Sequence, residues 1–151
     1  MHPVRLVEIA ELINLGKIPA AYVVILRERN GDRCLPVTLG AFEGLYLEHG
    51  LCGSSAPRPL MHELMVAMLR TVHCELKAVH IHGWQSIFFA VAQLRRGIEE
   101  LAFECRPGDA LALAALADTP VYVSETLLAQ EGRPYPQEAM RWRAQMGRLQ
   151  T

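Results

Sequence analysis

The chain has 151 residues, of which 51% are hydrophobic and 21% charged, and this composition suits one globular domain rather than a disordered chain. Its 15 basic and 16 acidic side chains leave a formal net charge of −1, which excludes a protein held on nucleic acid by bulk positive charge. The longest apolar run, Ala110 to Ala117, is far shorter than the ~20 residues that cross a bilayer, so no membrane partner is expected.

The first half of the chain is typical of three strands followed by two helices. Strands are predicted over 4–15, 21–26 and 33–39, and Asn30-Gly31 between the last two suits a tight hairpin. Helices are predicted over 41–51 and 59–72. The second helix has apolar residues at helical spacing on one face, namely Met61, Leu64, Met65, Met68 and Val72.

The second half repeats the three strands and follows them with one helix instead of two. Strands are predicted over 75–82, 86–94 and 98–105, followed by a helix over 108–117 that is almost entirely Ala and Leu. Because that helix has so little polar surface, it is expected to be the most buried element. A short strand at 121–123 and a helix at 126–131 complete the pattern.

Strand triplets followed by helices predict an α+β fold, with two antiparallel three-stranded groups and helices packed on them. The recurrence of strand–strand–strand–helix hints at an internal duplication. Residues 1–132 form the predicted domain, and residues 133–151 form a basic tail, partly helical or frayed. Apolar strands and a basic tail on an acidic body favour a homo-oligomer, with a dimer preferred and hairpin edges or the tail at the interface.

The four cysteines, Cys34, Cys52, Cys74 and Cys105, contain no C-x-x-C pair. No secretory segment precedes the first predicted strand, and a reduced thiol in an apolar strand behaves as a small hydrophobe. The pattern predicts free thiols and a cytoplasmic location.

Two predicted helices begin in the same unusual way. Arg58-Pro59 and Arg106-Pro107 each precede a helix whose first turn holds an acid, Glu63 or Asp109. One interpretation is structural, because a carboxylate near a helix N-terminus complements the helix dipole and an arginine can pair with it. The other is functional, because helix N-termini bind anions and the arginine fork suits a phosphate.

The functional interpretation assigns a role to each polar residue near these helix starts. His62 can take or give a proton near neutral pH. Glu63 and Asp109, with Glu43 as a third carboxylate, can hold a divalent ion or orient water, as phosphodiester hydrolysis requires. None of these spacings is specific by itself.

A second histidine pattern, His80-x-His82, lies in a predicted strand. Alternate strand residues share a face, so both imidazoles can meet one transition metal. Two ligands without a third are more often a solvent-facing pair. The aromatic residues nearby, Trp84 and Phe88-Phe89, can stack a nucleic-acid base or form core and subunit contacts.

Four sequence blocks in order carry a family resemblance: LPVTLGAFE at 35–43, RPLMHEL at 58–64, FECRPGDALALA at 103–114 and PVYV at 120–123. Together they resemble the bifunctional nuclease domain family of bacteria and plants, over about residues 4–130. The resemblance implies an α+β fold, an oligomer, and the DNase and RNase activity described for plant members.

The resemblance therefore implies a nuclease acting on DNA and RNA phosphodiesters with Mg²⁺ or Mn²⁺ and no organic cofactor. Its site residues would be Glu63, Asp109 and Glu43 for the ion or the attacking water, and His62 as general acid or base. Arg58 and Arg106 would grip the scissile phosphate.

The sequence departs from the family pattern where Met61 stands for Thr, Glu63 for Asp, Gly108 for Ser and Gly44 for Ala. Thr and Ser would act as helix N-caps, so the Met61 helix start is expected to lose ~1 kcal/mol. These departures keep open a second function, a non-catalytic binding or regulatory module for an anionic ligand or a protein partner. Metal-dependent cleavage of nucleic acid distinguishes the two.

Overall fold

Eight strands and five helices are present in the computed structural model, which describes residues 3–16, 21–53 and 57–149. The strands are β1 Val4–Asn14, β2 Tyr22–Glu28, β3 Arg33–Leu39, β4 Glu75–Trp84, β5 Ile87–Arg96, β6 Glu99–Cys105, β7 Val121–Ser124 and β8 Arg133–Pro134. The helices are α1 Ala41–Cys52, α2 Met61–Thr71, α3 Pro107–Ala117, α4 Glu125–Glu131 and α5 Gln137–Leu149.

All eight strands belong to one mixed sheet, in the order β6-β5-β4-β7-β1-β2-β3-β8. The predicted antiparallel triplets β1–β2–β3 and β4–β5–β6 are both present, so the α+β class is confirmed. Strand β7 pairs antiparallel with β1 and parallel with β4. This short strand joins the two triplets into a single sheet.

One face of the sheet carries the main core. Residues Val24, Leu26, Val79 and Ile81 point to this side and are enclosed by α1, α3 and α4. None of the residues of α3 is exposed, so it is the most buried helix in the described part of the chain. It is not the most buried element, because five of the seven residues of the central strand β2 are buried against six of the eleven of α3. Its small side chains let α1 and α2 pack closely on it.

The opposite face of the first triplet is covered by α5. Trp142 and Tyr135 pack against a second core cluster that consists of Ile13, Leu15, Val23, Ile25 and Cys34. Arg143 of α5 forms an ion pair with Glu11 of β1. Burial, with a smaller contribution from Glu138, raises the pKa of the Cys34 thiol to about 11. The polar tail is therefore a helix docked on the sheet.

Helix α2 differs from its predicted form in two ways. It begins at Met61 rather than at Pro59, because Leu60 is the N-cap and its N–H donates to the Glu63 carboxylate. The predicted loss of a cap at Met61 therefore does not apply, since Met61 lies inside the helix. Its apolar stripe is also exposed, whereas His62 and Val66 are buried. No helix of the described residues is long and apolar enough to span a membrane.

Candidate functional site

The starts of α2 and α3 lie beside each other in one chain. His62, the second residue of α2, places its Nε2 3.4 Å from Oδ1 of Asp109, the third residue of α3. The functional interpretation requires that the two helix starts converge, and the starts of α2 and α3 do so because α2 packs on α3. A histidine and a carboxylate from different helices thus form one pair.

Helix α1 places two more side chains, Tyr46 and Glu43, beside the His62–Asp109 pair. The Tyr46 ring lies 4.5 Å from the His62 ring, and Oε1 of Glu43 lies 3.4 Å from Nη1 of Arg106. Gly108 makes the second contact possible, because a Cβ there would lie 2.4 Å from Oε2 of Glu43. The three helices therefore bring together two carboxylates, one arginine and one histidine.

Exposure divides the cluster into inner and outer groups. His62 is 7% exposed, and its Nδ1 is buried without a hydrogen-bond partner among the described residues. The Asp109 side chain is 39% exposed and that of Arg106 is 79% exposed. A substrate can therefore reach Asp109 and Arg106. His62 contacts Asp109 from the buried side.

Glu63 and Asp109 both occupy the third position of their helices but have different partners. Glu63 accepts a hydrogen bond from the Leu60 N–H at 3.1 Å and lies 3.1 Å from Nε2 of His49. It therefore closes the first turn of α2 and holds α1 against it. Asp109 instead contacts His62 from another helix.

Arg58 lies on the exposed segment that precedes α2. Among the described residues it has no hydrogen bond or ion pair. Its guanidinium is open to solvent beside the start of α2.

The predicted metal ligands do not form a ligand cluster. Within the described ranges no group of three or more His, Cys, Asp or Glu side chains is placed to hold a metal ion. Glu43 and Asp109 both lie near Arg106, and Glu63 lies near His49. This donor set does not fit an ion held by three protein ligands. Glu43 and Asp109 are the carboxylates that would hold an ion shared with substrate phosphates, because Mg²⁺ commonly takes one or two protein carboxylates and keeps several waters.

The His80 and His82 rings stack on the opposite side of β4 from the main core, with centroids 6.2 Å apart. Tyr122 flanks His80 and Phe89 flanks His82. Burial, followed by the nearby His82, lowers the pKa of His80. No third ligand joins the pair among the described residues, so the structure supports an aromatic row rather than a metal site.

Two residues of the cluster, Tyr46 and His49, were not predicted. Tyr46 follows Glu43 by three residues, so one face of α1 presents both, and this spacing was the available signal. The partners themselves come from α2. Only the tertiary packing reveals those contacts.

The three-helix cluster and the eight-stranded sheet define an α+β domain with an acid-histidine pair at a helix start. The chain belongs to the bifunctional nuclease domain family, whose model matches residues 24–136. It is similar to two uncharacterized proteins of Mycobacterium tuberculosis, from strains CDC 1551 / Oshkosh and ATCC 25618 / H37Rv. Each is 37% identical over 118 residues, which cover 78% of this chain and 70% of the relative.

Proposed function

We propose that this chain is a nuclease that hydrolyses DNA and RNA phosphodiesters at the cluster formed by α1, α2 and α3. The observation that carries the proposal is the 3.4 Å contact between His62 Nε2 and Asp109 Oδ1, beside the exposed Arg106. Membership of the bifunctional nuclease domain family supplies the substrate class.

Arg106 is the residue best placed to contact the scissile phosphate. It is the N-cap of α3, where backbone N–H groups are free of intrahelical partners and favour an anion. Its guanidinium can form two parallel hydrogen bonds to phosphate oxygens and stabilise the charge that develops on them. Arg58, exposed before α2, is proposed as an outer phosphate contact.

The carboxylates near Arg106 explain why a divalent cation would be needed. Glu43 and Asp109 would repel a phosphate that arrived alone, because their two negative charges exceed the single positive charge of Arg106. We propose Asp109 and Glu43 as the residues that would hold Mg²⁺ or Mn²⁺. The ion would supply charge neutralisation at the phosphate.

Asp109 is the residue proposed to take the proton of the attacking water, since its carboxylate is partly exposed. The oxygen that leaves when the P–O bond breaks would take a proton from solvent water. The buried His62 acts through Asp109, and we propose it as a positioning residue that orients the carboxylate and stabilises its charge. Glu63 is proposed to support α2 rather than to contact substrate. The four free thiols are consistent with a cytoplasmic location.

Substitution at the two ends of α3 tests the assignment. Asp109→Asn should lower the cleavage of single- and double-stranded DNA and RNA by about 100-fold or more, the range of general acid–base contributions. Asp118→Asn is the control, because it makes the same change at the C-cap of α3, and it should cleave like wild type. Omission of Mg²⁺ and Mn²⁺ from the assay should abolish cleavage by wild type. Equal cleavage by wild type and Asp109→Asn from identical preparations would place the activity elsewhere.

The second candidate is a non-catalytic module that binds an anionic ligand or an acidic partner segment. The absence of a three-ligand metal group among the described residues favours it. It predicts that wild type binds a labelled oligonucleotide or an acidic peptide, as measured by fluorescence anisotropy, without cleaving any nucleic acid at any metal concentration.

A further inference from the structure

The outer sides of α1 and α2 form an apolar surface that nothing in the described chain covers. Eight of the thirteen exposed large apolar side chains in the described residues lie there. They are Phe42, Leu45, Leu51, Met61, Leu64, Met65, Met68 and Val72, and we refer to them as the helix patch. The contacts of Tyr46 with His62 and of His49 with Glu63 hold the two helices beside each other.

The orientation of α2 is unusual for a helix on a folded domain. Its apolar stripe follows the helical repeat that normally faces a core. Here the helix instead packs on α3 through His62 and Val66, and the stripe lies outside, with Met68 60% exposed. Monomeric proteins seldom expose a contiguous apolar patch of more than a few hundred Å².

We propose that a second copy of this chain covers the helix patch, as an isologous dimer in which the patch of one copy meets that of the other. The exposed parts of the eight side chains amount to on the order of 900 Å², and a standard stable interface takes about 800 Å² from each partner. The area on the patch thus matches what a stable dimer needs.

One further observation favours a copy of the same chain as the occupant. In an isologous interface each surface meets itself, so like charges would repel. The eight side chains of the helix patch carry no charge, so they would not repel their counterparts across such an interface.

Other surfaces are less suited to this role. The edge strand β6 carries Glu99, Glu100 and Glu104, and charged edge strands resist pairing. Helix α5 already docks on β1 of its own chain. The helix patch instead adjoins the candidate site, because Phe42 precedes Glu43 and Met61 precedes His62. The dimer does not depend on the proposed nuclease function.

Sedimentation or light scattering of three folded proteins at micromolar concentration tests the dimer. Wild type should have twice the chain mass of 16.9 kDa, and Met68→Glu should be a monomer. The variant should dimerise at least about 100-fold more weakly, because the interface would bury an unpaired carboxylate from each copy. Circular dichroism should show that Met68→Glu is folded, since Met68 faces solvent.

Ile87→Glu is the matched control, because Ile87 is equally exposed but lies on β5, outside the helix patch. It should dimerise like wild type. A monomeric wild type, a Met68→Glu variant with the wild-type mass, or dissociation by Ile87→Glu alone would each overturn the proposal.

Discussion

Gly108 determines how closely α1 approaches the start of α3. A Cβ at this position would lie 2.4 Å from Oε2 and 2.8 Å from Cβ of Glu43. The carboxylate end can rotate away, but the Cβ of Glu43 moves only if α1 moves. The glycine that replaces the serine of the family pattern therefore permits the contact between Glu43 and Arg106.

We predict that Gly108→Ser lowers the free energy of unfolding by about 1–3 kcal/mol, the usual cost of overpacking a tight contact. Denaturant unfolding followed by circular dichroism measures it. Gly40→Ser is the control, because Gly40 is the N-cap of α1, has open space around it and a negative φ of −70°. Serine caps well there, so its stability should equal or exceed that of wild type. A Gly108→Ser variant as stable as wild type would contradict the packing argument.

The residue-level interpretation of the sequence identified the right helix starts but not the partners. The Arg-Pro motifs and their acids indicated His62, Asp109 and Arg106 as neighbours, and these three do meet. The sequence offered Glu63 and Asp109 alike as acids in the first turns of the two helices and did not distinguish their roles. Their different roles arise from which helix packs beside each carboxylate.

At the scale of elements, Arg33 links β3, the β2–β3 hairpin and α4. Its guanidinium donates to Glu28 at 2.9 Å and to Glu125 at 3.0 Å, and Arg5 of β1 donates to Glu125 at 2.9 Å. Hydrogen bonds from Arg33 lower the pKa of both Glu28 and Glu125. The charged form of each carboxylate is thus favoured in the folded chain.

This ion-pair network predicts a loss of stability in acid. A carboxylate whose pKa is lower in the folded state stabilises the fold above its unfolded pKa, and that stabilisation is lost as pH falls through the folded value. The free energy of unfolding of wild type should therefore fall as pH drops below ~4.5. Glu28→Gln should be less stable than wild type at pH ~7 and should converge with it near pH ~2.

Urea titrations of both proteins across this range measure the difference. Glu104→Gln is a suitable control because Glu104 lies on the exposed edge strand β6 and takes part in no hydrogen bond or ion pair among the described residues. Its stability should follow the wild-type curve at every pH. A constant gap between wild type and Glu28→Gln would contradict the role of ionised Glu28.

Elements with strong local signals could be predicted from sequence, whereas their orientation could not. The Ala- and Leu-rich run predicted a buried α3, and Asn30-Gly31 predicted the β2–β3 turn. The apolar stripe from Met61 to Val72 predicted a helix. Periodicity does not show whether that apolar face packs on the core of the same chain or lies on its surface. Helix α5 is stabilised by its contacts with β1, and no local sequence pattern predicts those contacts.

At the scale of the whole molecule, β7 makes one sheet of two triplets. Its four residues pair with β1 on one side and β4 on the other. These pairings are non-local, so the sequence predicted two strand groups without showing how they join. Helix α3 packs on the resulting sheet, and α1 and α2 pack on α3. The candidate site therefore draws residues from both halves of the chain.

The central claim is that His62 of α2 and Asp109 of α3 act as one unit in phosphodiester cleavage. A double-mutant cycle tests it most directly, with cleavage rates and unfolding free energies measured for wild type, His62→Gln, Asp109→Asn and the double variant. We predict that each single substitution lowers the rate and that the double variant is no slower than Asp109→Asn, because His62 acts only through Asp109. Rate losses that multiply in the double variant, or an unchanged rate in either single variant, would contradict the claim.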